Sequence, residues 1–317
     1  MKIVFMGSPD FAVDSLALLH NSPKHELIAV VTQPDRPKGR GQKVLMTAVK
    51  AYAVENNLPV LQPVKVKAED FMIKLRELAP DLIVVAAFGQ FLPKAMLELP
   101  RYGCINVHAS LLPKYRGAAP IHYAILRGEK ESGVTIMQMD VGMDTGAMLD
   151  NVSVPISQEM TMGQLHDILK IKGAELLLEV VDGLEAGTIK AVAQDEKLAT
   201  YASLLTRDME KINWSLSAKE IHDQVRAFDP FPSSFTKLPD GKTLKIWRTK
   251  ISNDIWEEKS PGVVVAIQKS GFVVAAGQGF LEVLEVQPES KRRMPASVFC
   301  NGRGIMVGEK LTAEETK

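Results

Sequence analysis

Cysteine is scarce: the chain has two among 317 residues, Cys104 and Cys300. Far apart in sequence, they form neither a disulfide framework nor a metal-ligand spacing, and the cytoplasm is the expected compartment. Long hydrophobic runs are missing too. No stretch approaches the roughly 20 apolar residues that span a bilayer. The apolar run in "MKIVFMGSPDF" lasts about four residues, short of a signal-peptide core, so no membrane partner is expected. Charge of one sign is also lacking, because 38 Lys/Arg balance 38 Asp/Glu and bulk electrostatics do not announce a polyanion. Nucleotide motifs fail as well. After the first strand, "MGSPDFA" offers one glycine and then a proline where a dinucleotide site needs G-x-G-x-x-G. Gly241-Lys242-Thr243 has Thr236 where a P-loop needs its first glycine. No H-E-x-x-H, paired C-x-x-C or G-x-S-x-G occurs, so zinc and nucleophile-elbow chemistry are unsupported and no metal is expected.

What is present is alternation. "KIVFMG", "ELIAVVTQ", "PVLQ" and "DLIVVAAF" read as short apolar strands. "FAVDSLALLHN", "TAVKAYAVENN" and "AEDFMIKLRELA" between them have helical spacing. That pattern predicts an α/β domain, a doubly wound Rossmann-like and mostly parallel sheet with helices on both faces, closed by a long helix from about Thr161 to Leu184. Beyond Asp195 it changes to one helix, "SAKEIHDQVRAF", the turn-rich "DPFPSS", and short strands with glycine turns, which predict a small OB-like β-barrel. The expected boundaries are a catalytic domain over 1–189, a linker over 190–206 and a β-barrel domain over 207–317.

The stretch "CINVHASLLPKYRGAAP" carries the chemistry. Asn and His are poor strand formers, yet Asn106 and His108 stand two apart where a strand runs out, so both point to one side. That is also where open α/β sheets bind ligands. Asp144, in "MDVGMDTGAM", lies in a loop that Gly142 and Gly146 allow to turn tightly back towards the histidine. With no serine or cysteine nucleophile beside them, an amide, an imidazole and a carboxylate suit direct attack by a substrate amine on a carbonyl. The protein then stabilises an oxyanion and moves protons. Taken singly, Asn106 and His108 serve equally as backbone caps and Asp144 as a turn residue. The methionines of "MQMDVGM" and Met148 read as core packing.

"INVHASLLPKYRGAAP", followed some thirty residues later by "MDVGMDTG", resembles the folate-dependent formyltransferase family, and the likeness runs to the late "RMPASVFCNG". The resemblance implies that Asn106, His108 and Asp144 surround the formyl group of 10-formyltetrahydrofolate. It further implies that the folate is held by Ser110, Leu111, Leu112 and Pro113 together with Phe88 and Gly89. "VVTQPDRPKGRGQK" and the chain length point to the members whose acceptor is initiator methionyl-tRNA. A small amine such as glycinamide ribonucleotide or an amino-sugar nucleotide is the alternative acceptor. One departure stands out: Asp229-Pro230-Phe231-Pro232 replaces the Asn-Pro-Trp-Pro expected there.

From Pro34 to Lys50 five basic residues face one acid, Asp35. The family places tRNA contacts on this loop, so Arg36, Lys38, Arg40 and Lys43 are the expected tRNA-binding residues. Pro34, Pro37, Gly39 and Gly41 discourage regular structure, which predicts a mobile arm. Lys242, Lys245, Arg248, Lys250 and Lys291-Arg292-Arg293 are candidate backbone contacts in the second domain. A monomer is expected.

Overall fold

The structure is a computed structural model, and it describes residues 1–38, 43–257 and 259–313. Two compact units emerge: one of residues 1–120, 131–155 and 166–202, the other of residues 121–130, 156–165 and 203–317. No helix among the described residues is long and apolar enough to cross a membrane.

The first unit is built on strands β1 (Lys2–Gly7) and β2 (Glu26–Val31), a hairpin β3 (Arg36–Lys38) and β4 (Lys43–Leu45), then β5 (Val60–Leu61), β6 (Leu82–Ala86) and β7 (Cys104–His108). After these come β8 (Arg116–Gly117), β9 (Glu131–Gln138), β10 (Met148–Pro155) and β11 (Tyr201–Ala202). Seven of these strands form one sheet in the order β10-β9-β7-β6-β1-β2-β5. It is parallel from β5 to β7 and antiparallel at β9 and β10. From β1 the chain winds first towards β5 and then, starting at β6, the other way. The switch therefore falls between β1 and β6, and the carboxyl ends of β6 and β7 lie beside it.

Helices α1 (Val13–Asn21), α2 (Ala48–Glu55), α3 (Glu69–Leu78) and α4 (Lys94–Leu97) connect these strands; α5 (Pro120–Leu126) and α6 (Met162–Ala186) follow. Phe71, Met72 and Leu75 of α3 pack on Val4, Met6, Val31, Ile83 and Val85, at about 1.5–3 kcal/mol for each large side chain buried. Glu69 and Asp70 occupy the first turn of α3, and Ala79 ends it in a left-handed conformation at φ 45° before Pro80, where a helix cannot easily continue.

In the second unit, α7 (Ala218–Ala227) begins at a reciprocal capping box. Glu220 N donates to Ser217 Oγ at 3.2 Å, and Ser217 N to Glu220 Oε2 at 2.9 Å. Ile221 and Val225 of α7 join the core with Leu244, Ile246, Phe272, Val274, Leu281 and Val283. Strands β12 (Ser234–Lys237), β13 (Thr243–Ser252), β14 (Val264–Ile267), β15 (Phe272–Ala275) and β16 (Phe280–Pro288) form an antiparallel sheet in the order β12-β13-β16-β15-β14. β17 (Met294–Pro295) adds to β16 and leads into α8 (Ala296–Asn301). Lys310 bridges Val263 beside β14, and Thr312 bridges Lys237 of β12, so the late chain links the two edges of this sheet and leaves neither fully open.

One expectation is corrected. Arg36, Pro37 and Lys38 pair with Leu45, Val44 and Lys43 in a hairpin, where irregular chain was predicted. In a two-stranded ribbon each strand is an edge, so Pro37 can face its missing N–H outward without breaking the ladder.

Candidate active site

Asn106 and His108 occupy alternate positions of β7, opposite Met137 and Thr135 of β9, and so share a face. Asn106 is half-buried, and among the described residues its carboxamide makes no side-chain hydrogen bond. His108 is 5% exposed. Its Nε2 lies 3.0 Å from the Tyr115 carbonyl, which can only accept, so Nε2 carries a proton and donates. In the neutral ring the other nitrogen, Nδ1, then holds the lone pair. Nδ1 sits 3.6 Å from Asp144 Oδ2, too long for a direct hydrogen bond but close enough to hold an imidazolium once Nδ1 takes a proton.

Asp144 reaches this position by a detour. β9 runs antiparallel to β7 and exits opposite Ile105, since Gln138 pairs with Ile105. The loop from Met139 to Ala147 must therefore run back along β7 to meet His108. Asp144 adopts φ 53°, a left-handed conformation that aspartate tolerates better than most residues. Gly117 N donates to its Oδ2 at 2.8 Å, and Gln194 Nε2 donates to the Asp144 carbonyl at 2.8 Å and to the Gly146 carbonyl at 2.7 Å. Gln194 Oε1 in turn accepts from Arg116 Nε and Nη2 at 3.1 and 2.8 Å. Arg116 is fully buried and forks onto Glu196 at 2.9 and 2.7 Å. That hydrogen-bonded pairing with Arg116 holds the Glu196 carboxyl below the usual carboxylate range.

The turn after β7 is locked in place. Ser110 is fully buried; its hydroxyl donates to the Lys114 carbonyl at 2.6 Å and its own carbonyl accepts from Thr135 Oγ1 at 2.7 Å. Leu112 N completes the staple on Thr135 Oγ1 at 3.1 Å. Ser110 therefore shapes this loop with its hydroxyl already bonded. Leu111 and Pro113 are half-buried and Leu112 is buried. After β6, Phe88 is buried in the core and its carbonyl accepts from Gln33 Nε2 at 3.1 Å. Gly89 has φ 82° with open space around it, a conformation favouring glycine.

Of the expected tRNA contacts, Arg36 is exposed on the hairpin. Lys38 and Lys43 belong to its paired backbone, and Arg40 lies outside the described residues. Lys50 is committed elsewhere: its ammonium, with Gln62, hydrogen-bonds Asp35 and pulls that carboxyl below the usual range. In the second unit Lys242 pairs with Asp240, and Arg293 with Glu285 and Asp229. Arg248, Lys250, Lys291 and Arg292 are exposed.

Two features are not evident from local sequence. Arg116 stands in view in "KYRG", but its partners Gln194 and Glu196 are about eighty residues away and no local pattern links them. Met143, expected in the core, is 47% exposed, whereas Met137 is buried; a tight loop that turns Asp144 inward leaves its neighbour outside.

Residues 1–181 match the family described as "Formyl transferase", and residues 204–304 match "Formyl transferase, C-terminal domain". A methionyl-tRNA formyltransferase of Acetivibrio thermocellus is 47% identical over 311 residues, covering 98% of this chain and 99% of its own. One of Geobacter metallireducens is 46% identical over 311 residues and covers 98% of each. Among solved structures, the sugar 3N-formyl transferase WlaRD, in the presence of dTDP and 5-N-formyl-THF, superposes with a TM-score of 0.65 at 23% identity. That match covers 92% of this chain and 99% of WlaRD. HypX of Aquifex aeolicus in complex with tetrahydrofolic acid gives 0.61 at 17% identity, over 94% of this chain and 47% of HypX. The two solved structures share the fold; the matched sequence pattern and the full-length relatives carry the assignment, and the chain belongs to the formyl transferase family.

Proposed function

We propose that this chain transfers the formyl group of 10-formyltetrahydrofolate to the α-amine of initiator methionyl-tRNA, in the cytoplasm where charged tRNA is used. Full-length relatives with that activity support the acceptor. The observation that supports the chemistry is Asp144 beside His108, with Asn106 two residues back on the same face of β7.

The amine nitrogen attacks the formyl carbon, and the carbonyl oxygen becomes an oxyanion to which Asn106 donates. An open half-buried amide suits this task, and one such donor contributes about 3 kcal/mol. The amine proton leaves through the His108–Asp144 pair, with the imidazolium stabilised by the carboxylate beside Nδ1. The bond from the formyl carbon to N10 of the folate then breaks, and N10 takes the proton to give tetrahydrofolate and N-formylmethionyl-tRNA. An α-amine with a pKa near 8 is partly neutral at pH 7, so the base need not be strong, and acid–base help contributes roughly 100- to 10,000-fold.

Arg36, Lys38 and Lys43 of the hairpin, together with Arg40, which lies outside the described residues, contact the tRNA in this reading, and exposed Arg248, Lys250, Lys291 and Arg292 add phosphate contacts. The test is incubation with label in the formyl group of 10-formyltetrahydrofolate and charged initiator tRNA, beside glycinamide ribonucleotide, a dTDP-amino-sugar and elongator methionyl-tRNA. Label on the initiator methionine alone is expected. Preferential label on either small amine would overturn the acceptor assignment.

A further inference from the structure

We infer that Gln194 is a positioning residue for formyl transfer, which holds Asp144 against His108 through the backbone of the Asp144 loop. The inference rests on the formyl-transfer reading above. A left-handed aspartate in a loop with a glycine two residues to either side keeps its conformation only if its surroundings fix it. Gln194 does so at two points, donating from one Nε2 to the carbonyls of Asp144 and Gly146. Its orientation is determined: Arg116 offers only donors, so the oxygen of the Gln194 amide must face Arg116 and its NH2 must face the loop.

The anchor behind it is rigid. Arg116 is fully buried, and its fork binds Glu196 while Nε and Nη2 bind Gln194. The segment carrying Gln194 and Glu196 continues to Thr200 and β11, which bind the other half of the site. Arg116 N donates to the Thr200 carbonyl at 2.9 Å, Ala118 N to the Ala202 carbonyl at 2.8 Å, and Tyr115 N to Thr200 Oγ1 at 2.9 Å. Tyr115 O is the acceptor for His108 Nε2. Residues 194–202, which the sequence reads as linker, therefore brace Asp144 through Gln194 and His108 through Tyr115. A carboxylate displaced by about 1 Å can lose as much as 100-fold in rate.

Three variants separate positioning from plain stability: Gln194→Ala, Gln194→Glu and Asp144→Asn. Gln194→Glu keeps an acceptor for Arg116 but offers no N–H to the loop. Both Gln194 variants are expected to lose roughly 10- to 100-fold in kcat, with KM for folate and for tRNA within about twofold and with the unfolding transition of each variant still above the assay temperature. A Gln194→Glu protein with parental kcat would overturn the inference, because Gln194 would then matter only as a partner for Arg116. Asp144→Asn reports on the reading beneath: if it is inactive while Gln194→Glu is normal, only the positioning role fails, and if it is fully active, the assignment of Asp144 fails with it.

Discussion

Arg116 and Arg36 are the same residue in the same unit, doing opposite jobs. Arg116 is fully buried, and its guanidinium is held by Gln194 and Glu196, with Tyr201 a further hydrogen-bond partner. Arg36 is exposed on a hairpin whose neighbours Val44, Leu45 and Met46 are also exposed. The same contrast separates Ser110, whose hydroxyl is already bonded within its own loop, from Asn106, whose carboxamide has no side-chain hydrogen bond among the described residues. A polar side chain with its hydrogen bonds satisfied inside the fold builds the site; one left open is available to a ligand.

The contrast is sharpest at Asn106. Asn106→Ala removes an open donor, so kcat is expected to fall 100-fold or more while thermal stability and tRNA affinity stay near parental values; steady-state kinetics, calorimetry and filter binding check this. The same conservative change at the two arginines comes next. Arg116→Lys keeps the charge but loses the fork, so unfolding is expected to cost about 2 kcal/mol less and kcat to fall about tenfold. Arg36→Lys should leave stability within about 0.5 kcal/mol. Equal behaviour of the two in a denaturant titration would break the comparison.

Smaller again is the effect of emptying the basic hairpin. Arg36→Ala, Arg40→Ala and Lys43→Ala together are expected to weaken tRNA binding and to flatten its log–log salt dependence by somewhat under one unit for each phosphate no longer neutralised. An unchanged slope would remove the hairpin from the interface. The smallest effect is at Glu196. Arg116 lowers its folded pKa, so its contribution to stability is complete above the unfolded value of about 4.3 and is lost as pH falls through the lowered folded value. Glu196→Gln should therefore flatten the acid limb of stability below about pH 4, as read by thermal unfolding across pH. Because Glu196 is well exposed, the change should be modest.

Much of this was legible in the sequence because it is local. Two-residue spacing put Asn106 and His108 on one face, "SAKEIHDQVRAF" read as the helix that is α7, and apolar runs separated by helical patterns gave the parallel part of the sheet. What stayed hidden depends on partners distant in the chain or on tertiary override of local preference. β12 forms from Ser234–Lys237 next to a turn-rich run because β13 offers it a ladder. Pro37 and its flanking residues look irregular until an opposing strand is present. The brace from Arg116 to Gln194 spans 78 positions, so no local pattern in "KYRG" links the two.

The central claim is that Asn106, His108 and Asp144 close around one carbon. A crystal structure with a stable 10-formyl analogue of the folate bound tests it most directly. The expected result is a formyl oxygen within about 2.7–3.1 Å of Asn106 Nδ2, with the formyl carbon between that amide and the His108–Asp144 pair. A formyl group seated away from the end of β7, with Asn106 facing solvent, would contradict it.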